Sequence, residues 1–372
     1  MALIRARRRE AVIEAGDRSI AELGEFGLIA EMAARMRPAP GMIVGIGDDA
    51  AVLAAPDGRV VATTDFLLEG RHFRRDWAGP TDIGHRAAVR SLADVAAMGA
   101  AATALLVAFA APPDLPASWA LELAGGLAAE AARAGASVAG GDTARFSSVL
   151  LAVTGLGDLQ GREPVTRSGA RPGDVLATAG PLGRSAAGLA LLQAGWAAPP
   201  DAGPGPPQGT APAPGTAPGP EPGPRSGPPG LAHLLAAHLR PEPPYDAGPE
   251  AAVLGATAMI DVSDGLLADL GHIAHASGVA IDVDPGALAG VPMGLTELAA
   301  AAETTGSSAP GEQALSWALT GGEDHSLVGT FPRGVVLPAR WTVIGVVRDG
   351  RGVLVGGQPH PGAPGWDHFR SP

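Results

Sequence analysis

GIGDDAAVL (45–53), then VVATTDFLLEGRHF (60–73) and SLADVAAMGA (91–100), is the stretch around which the rest of the chain is read. It carries the carboxylates Asp48, Asp49, Asp65 and Asp94. Val60, Val61 and Ala62 read as the end of a buried strand, so Thr63, Thr64 and Asp65 sit where that strand would stop. Asp49 lies in a Gly-rich turn before another apolar run. Carboxylates at turns and strand ends can converge in space while distant in sequence. Hard cations such as Mg²⁺ take oxygen ligands, usually a few carboxylates together with waters and phosphate oxygens. The same pairing of glycine with acid returns in GGDT (140–143), DVSDGL (261–266) and GGED (321–324). A chain that repeats it so often reads as one building a site for metal ions and phosphate.

Composition narrows the classes. The 372 residues are enough for two domains, and 46% hydrophobic content can fill a sizeable core. A formal net charge of −12 argues against nucleic acid or a membrane surface held by bulk charge. It leaves an anionic substrate open, because bound metal ions invert the local field. With no cysteine, disulfides, thiolate metal sites and cysteine nucleophiles are excluded, and a reducing cytoplasm fits. The N-terminal MALIRARRREAVIEAG has arginines with no apolar stretch behind them, a poor signal peptide. The most apolar run, 96–111, is broken by Gly99 and Thr103 and is shorter than the ~20 residues that span a bilayer. A soluble cytoplasmic protein is expected.

Taken in order, residues 1–22 read as a polar N-terminal extension. Glu25–Met36 reads as a short helix closed by Pro38 and Pro40. Ile83–Met98 is predicted to be a helix, with Ala88, Leu92, Val95 and Ala96 on one face. Leu105–Ala110 and Val149–Leu156 read as strands around a helix at Ser118–Ala134, with Gly135 as its C-cap. These elements give an N-terminal α/β domain over 23–158. In the C-terminal α/β domain, 159–372, Val175–Thr178 reads as a strand and Arg184–Gln193 as a helix. Residues 197–230 are nearly all Pro, Gly and Ala without periodicity, too long for an ordinary loop, and read as a disordered insertion. DVSDGLLADLGHIAHASG reads as strand end, turn and helix. Ala314–Thr320, Ser326–Phe331 and Trp341–Val347 are further segments of the second domain.

Each acidic motif also has a plain explanation. Asp49 can cap a turn. Asp94 can pair with Arg90 one helical turn earlier. GGDT can be only a turn, although glycine there would also let backbone N–H groups approach a phosphate. Ser263 or Asp264 can be a helix N-cap, and the same geometry suits a bound phosphate. His72 and Glu323 have no obvious structural task in the sequence. The weight lies in the joint occurrence of these motifs.

Read together, the segments resemble the thiamine-monophosphate kinase family. The matching stretches are GEFGLIA (24–30), GIGDDAAVL, TTD followed by EGRHF, DVAAMGA, GGDTAR, VTRSGARPGD, DVSDGLLADLGHI, LTGGEDHSL and GWDHF, in the family's order. The resemblance implies a mixed α/β (α+β), two-domain architecture like aminoimidazole ribonucleotide synthetase. It also implies a homodimer in which N-terminal sheets pair across subunits. The implied reaction moves the γ-phosphoryl of ATP onto thiamine monophosphate, with several Mg²⁺ ions holding the phosphates. Carried over by motif, Asp49, Thr63, Thr64, Asp65, Asp94, Asp142, Asp261 and Asp264 are metal ligands. Asp65, Asp94 and Asp142 stand as the catalytic set. Gly141, Asp142, Arg167 and Ser263 would contact ATP, and His72, Glu323 and Trp366 would line the thiamine phosphate site. Partners are therefore ATP and thiamine monophosphate, with neither nucleic acid nor membrane. Phosphoryl transfer rests mainly on positioning and charge neutralisation, and no GxxxxGK[ST] loop is present to hold phosphates otherwise.

Two segments depart from the family pattern. NLSD reads SLAD, placing Ser91 and Ala93 where Asn and Ser are usual. GGEDYEL reads GGEDHSL, placing His325 and Ser326 where Tyr and Glu are usual. The alternatives are another ATP-dependent enzyme of the superfamily, such as aminoimidazole ribonucleotide synthetase, or a metal-binding protein with a decayed site. No aspartate of GDD, TTD or GGD is lost, which speaks against decay.

Overall fold

The computed structural model describes residues 18–38, 40–46, 50–197, 225–226, 230–292 and 294–366, apart from the side chains of Phe26, Arg225 and Ser226. Most of the expected insertion at 197–230, all but residues 197, 225–226 and 230, and most of the N-terminal extension lie outside the described residues. The chain divides into two compact units, Met1–Val95 with Ala101–Gln160, and Ala96–Ala100 with Gly161–Pro372.

The first unit begins with α1 (Ile20–Leu23), started by a capping box in which the Ser19 hydroxyl and the Glu22 carboxylate each serve the other's backbone N–H. Ile20 N–H donates to Leu115 O and Ala117 N–H to Arg18 O, tying this turn down. α2 (Glu25–Ala33) follows, then an antiparallel ribbon of β1 (Met42–Val44) and β2 (Val52–Leu53). The GIGDD stretch falls between β1 and β2 in the sequence, and its residues 47–49 lie outside the described residues.

The sheet of this unit comprises β3 (Val61–Leu68), β4 (Ala101–Ala111), β5 (Ser137–Arg145) and β6 (Leu150–Asp158), in the order β3-β6-β4-β5. β4 and β5 are parallel, so α4 (Ala117–Arg133) crosses between them, and the other pairs are antiparallel. Gly135, at φ +78°, ends α4 in the left-handed conformation that glycine adopts without penalty. α3 (Pro80–Ala97) buries Ala88, Val89, Leu92 and Val95 completely, each larger side chain contributing roughly 1.5–3 kcal/mol. It crosses α4 at two glycines. A Cβ on Gly84 would lie 2.0 Å from Leu123 O, and one on Gly126 2.1 Å from Thr81 O.

Two sequence readings change here. β3 does not stop at Asp65 but runs on to Leu68, so TTD is mid-strand. It is an edge strand with alternating exposure rather than a buried one, and Val60 is 55% exposed. GGDT is not a turn but the interior of β5. A Cβ on Gly141 would meet Val107 O at 1.9 Å, so close packing of β4 on β5 requires glycine there.

In the second unit a seven-stranded sheet has the order β10-β12-β7-β13-β11-β14-β15. Its strands are β7 (Val175–Ala179), β10 (Ala258–Asp261), β11 (Ala280–Val283), β12 (Leu327–Phe331), β13 (Trp341–Arg348), β14 (Gly352–Val355) and β15 (Gln358–Pro359). A small parallel pair, β8 (Trp196–Ala197) and β9 (Arg225–Ser226), stands apart. β10, β11 and β12 are buried along their whole length, including the polar residues Asp261, Asp282 and Thr330. The Phe331 and Trp341 rings meet edge to face at 5.0 Å. The helices are α5 (Arg184–Gln193), α6 (Ala232–Leu239), α7 (Ala247–Val253), α8 (Leu266–Ser277), α9 (Leu295–Thr304) and α10 (Pro310–Thr320).

Candidate active site

In the first unit, the two-residue period of β3 turns Thr63, Asp65 and Leu67 toward α3. The Thr63 hydroxyl donates to Asp94 Oδ2 at 2.6 Å. The Ser91 hydroxyl is shared between Asp65 Oδ2 at 3.0 Å and Val153 O at 2.8 Å. Arg90 Nε lies 3.9 Å from Asp65 Oδ1. Arg90 and Ser91 lie four and three residues before Asp94 on α3, so each neighbours it about one helical turn away. The result is a strand-to-helix cluster of carboxylate and hydroxyl oxygens, the donor type a hard cation takes.

Other residues of the expected set lie elsewhere in this unit. Thr64 points to the opposite, open face, where its hydroxyl donates to Val153 O and accepts from Thr154. Asp142 pairs with Ala108, in the row of Ala152 and Phe66, whereas Asp65 shares a row with Val153, Val107 and Gly141. Adjacent rows face opposite sides, and β3 and β5 are the two edge strands, roughly 14 Å apart by strand spacing. Asp142 is exposed and accepts the Thr143 N–H at 2.9 Å. Among the described residues, no three acidic or histidine side chains come close enough to hold a metal ion. Asp48 and Asp49 lie outside those residues. His72 does have a structural task. Its Nδ1 accepts the Leu68 N–H at 3.0 Å and its own N–H donates to Leu68 O, closing the turn after β3. The neutral ring therefore carries its hydrogen on Nε2.

In the second unit three distant motifs meet at one loop. Glu323 N–H donates to Ser263 O, Trp366 N–H to Asp264 O and His325 N–H to Val262 O, at 2.8–2.9 Å. The glycines of GGED and GW are what allow this approach. A Cβ on Gly322 would lie 2.3 Å from Ser263 O, and one on Gly365 2.3 Å from Asp264 O. Glu323 and His325 adopt left-handed φ values of 68° and 52°, uncommon for residues with a Cβ and held by these bonds. The two residues expected at the substrate, Glu323 and Trp366, thus bracket the Ser263–Asp264 peptide. His325 Nδ1 lies 3.1 Å from Asp261 Oδ2, and its Nε2 is 4.0 Å from Glu323 Oε2. Arg167 is exposed on a loop held beside β10, where Thr166 O accepts the Met259 N–H and Arg167 O accepts the Ser277 hydroxyl.

The turn at the start of α8 differs from expectation. Neither Ser263 nor Asp264 is the N-cap; Gly265 is, at φ +120°. The amides of Ser263, Asp264 and Gly265 donate to Asp269 Oδ2 at 3.0, 3.1 and 3.1 Å. A phosphate would have to compete with that carboxylate for the same N–H groups. Burial, followed by the charges of Asp261 and Asp264, pushes the Asp269 carboxyl up to about 8. Asp324 plays a similar part at α5, accepting Gly183 N–H at 2.6 Å and Ser185 N–H at 2.8 Å. Burial raises it to about 6 against the pull of those amides. Both residues lie in motifs quoted from the sequence, GGED and DVSDGLLADL, but neither carries a role of its own there. For Asp269 the available signal was an acid in the first turn of the helix, the position from which a side chain reaches back to orphan amides.

Comparison with known proteins adds to this geometry. The AIR synthase related protein, N-terminal domain, matches residues 47–159. The chain is 44% identical over 355 residues to the thiamine-monophosphate kinase of Mycobacterium tuberculosis H37Rv, covering 95% of this chain and 94% of that one. It is similar to the crystal structure of thiamine-monophosphate kinase from Stenotrophomonas maltophilia, with TM-score 0.70, 31% identity and coverage of 90% and 97%. A structure of AaThiL complexed with AMPPCP and TMP matches with TM-score 0.68 and 30% identity, covering 94% of this chain and 98% of that one.

Proposed function

The chain belongs to the thiamine-monophosphate kinase family, and from that premise we infer that it transfers the γ-phosphoryl group of ATP to thiamine monophosphate, yielding thiamine diphosphate and ADP. The observation that carries the reading is the 44% identity spread over 95% of the chain. The complex of the relative with AMPPCP and TMP supports the same pair of substrates.

Residue roles follow unit by unit as proposals. Thr63, Asp65 and Asp94, together with Asp49 of the GIGDD motif, would ligate Mg²⁺ through oxygen, and Asp261 and Asp264 would do so in the second unit. Thr64 and Asp142 keep the metal role that the family motif assigns, while standing on the open face of their sheet. Bound Mg²⁺ would supply charge neutralisation and alignment of the phosphates. The chain contains no lysine, so the cationic side chains that could meet phosphate are its arginines, Arg167 among them. Gly141, Asp142 and Ser263 are the other nucleotide contacts, and His72, Glu323 and Trp366 the contacts to thiamine phosphate. The acceptor phosphate is already anionic and nucleophilic, so no strong general base is needed. In-line transfer without a phosphoenzyme is expected.

A homodimer formed through the first unit's sheet belongs to the same reading. Its support is the open face, where Phe66 is 58% exposed beside Ala62, Thr64 and Ala108. The reading also places the reaction in the cytoplasm. Among the described residues, no helix is long and apolar enough to cross a membrane.

The test is ADP release with thiamine monophosphate, ATP and Mg²⁺, with the product identified as thiamine diphosphate. No ADP above the acceptor-free control would overturn the assignment. Stoichiometric label transferred from γ-labelled ATP to protein, and chased into product, would overturn direct transfer.

A further inference from the structure

His325 occupies the position at which the family pattern carries tyrosine, and it is buried to 1% exposure against Asp261 at 3%. Its Nδ1 faces Asp261 Oδ2 at 3.1 Å, so the hydrogen on that nitrogen donates to the carboxylate. The imidazole cannot easily swing away. Its backbone is locked left-handed by the His325 N–H to Val262 O bond at 2.9 Å, one residue beyond Asp261. Asp261 is equally fixed, ending β10 and paired with Leu327 on β12. One carboxylate oxygen is thus held by the ring, while Oδ1 is left for another partner. The other ring nitrogen lies 4.0 Å from Glu323 Oε2. A single side chain therefore stands between a proposed cation ligand and a proposed substrate contact.

We propose that His325 is a positioning residue that orients the Asp261 carboxylate for the divalent cation, doing through Nδ1 what the family's tyrosine cannot do with the same atom. This rests on the reading of Asp261 as a Mg²⁺ ligand. Groups that hold a metal-binding carboxylate typically change metal affinity about 10–100-fold when removed.

The full chain is compared with His325→Phe, which fills the ring volume without an N–H, and with His325→Asn. Asparagine tolerates the left-handed backbone and keeps an N–H near the Nδ1 position. Two quantities are read: the Mg²⁺ concentration for half-maximal ADP release, and the melting-temperature rise on adding Mg²⁺ with AMPPCP. The first should increase about tenfold or more in His325→Phe and stay within about threefold of wild type in His325→Asn. The melting rise should shrink in parallel. An unchanged Mg²⁺ requirement in His325→Phe, even with a lower melting temperature in buffer, would mean a packing role only and would overturn the proposal. Should His325→Phe not fold, ¹⁵N-histidine spectra of the wild type decide. The ring signal missing from His325→Asn should move on adding Mg²⁺ with AMPPCP, and a stationary signal overturns the role. If the wild type releases no ADP yet shows a Mg²⁺-dependent melting rise that His325→Phe loses, the kinase reading falls and the positioning role stands.

Discussion

The Asp269 carboxylate receives the backbone N–H of Asp264 at 3.1 Å, and through the same oxygen it also gathers the amides of Ser263 and Gly265. One buried side chain thereby sets the shape of the DVSDG turn, against which the GGED and GW segments are laid.

Removing that side chain should open the turn. Asp269→Ala leaves amides without their acceptor, and an unsatisfied buried donor costs about 1–3 kcal/mol. Because the turn is partly exposed, water recovers some of this, and a net loss of about 2–4 kcal/mol is expected by urea unfolding. Asp269→Asn, which keeps one oxygen, should lose less. A midpoint and slope for Asp269→Ala equal to wild type would refute the role.

Asp324 predicts a pH dependence of unusual sign. Its folded carboxyl is raised to about 6, above the ordinary aspartate value of 3.8, chiefly by burial. Between these values the folded state holds a proton that the unfolded chain has released, so this group's contribution to stability falls as pH rises and levels off above about 6. Asp324→Asn cannot ionise. The stability advantage of wild type over Asp324→Asn should therefore narrow from pH 4 to pH 6 and then stay constant. A gap that widens over that interval contradicts the assignment.

Asp65→Asn should abolish ADP release while leaving the melting temperature near wild type. Asparagine keeps an acceptor for the Ser91 hydroxyl but loses the charge a cation needs. Ser91→Ala should be milder, destabilising by about 1 kcal/mol through loss of a hydrogen-bonded hydroxyl and raising the Mg²⁺ requirement. Near-normal turnover of Asp65→Asn at saturating Mg²⁺ would refute the ligand role.

Gly84→Ala should force α3 away from α4. The added Cβ would lie 2.0 Å from the Leu123 carbonyl oxygen, which belongs to backbone and cannot rotate aside. Overpacking of this kind costs about 1–3 kcal/mol or more. A melting temperature equal to wild type would show that the helices separate freely.

The one-dimensional pattern determined the elements themselves. The apolar face of Ile83–Met98, the helix at Ser118–Ala134 closed by Gly135, and the strands at Leu105–Ala110 and Val149–Leu156 stand within a few residues of the structure, because periodicity and caps are local properties. So was the family legible, since its motifs keep their order along the chain. What the tertiary structure alone decided is which acids meet. Asp65 reaches Ser91 and Asp94 reaches Thr63 because β3 runs on to Leu68, and its two-residue period fixes which side chains face α3. The same alternation sends Thr64 to the open face, and an edge-strand position carries Asp142 away, although both belong to the same motif set. Likewise the closeness of Asp261, Glu323 and Trp366 is made by hydrogen bonds spanning as many as 102 residues, from Trp366 to Asp264, and by glycines that admit backbone against backbone. Local propensity carries no information about such contacts; only packing of the finished sheets and loops selects them.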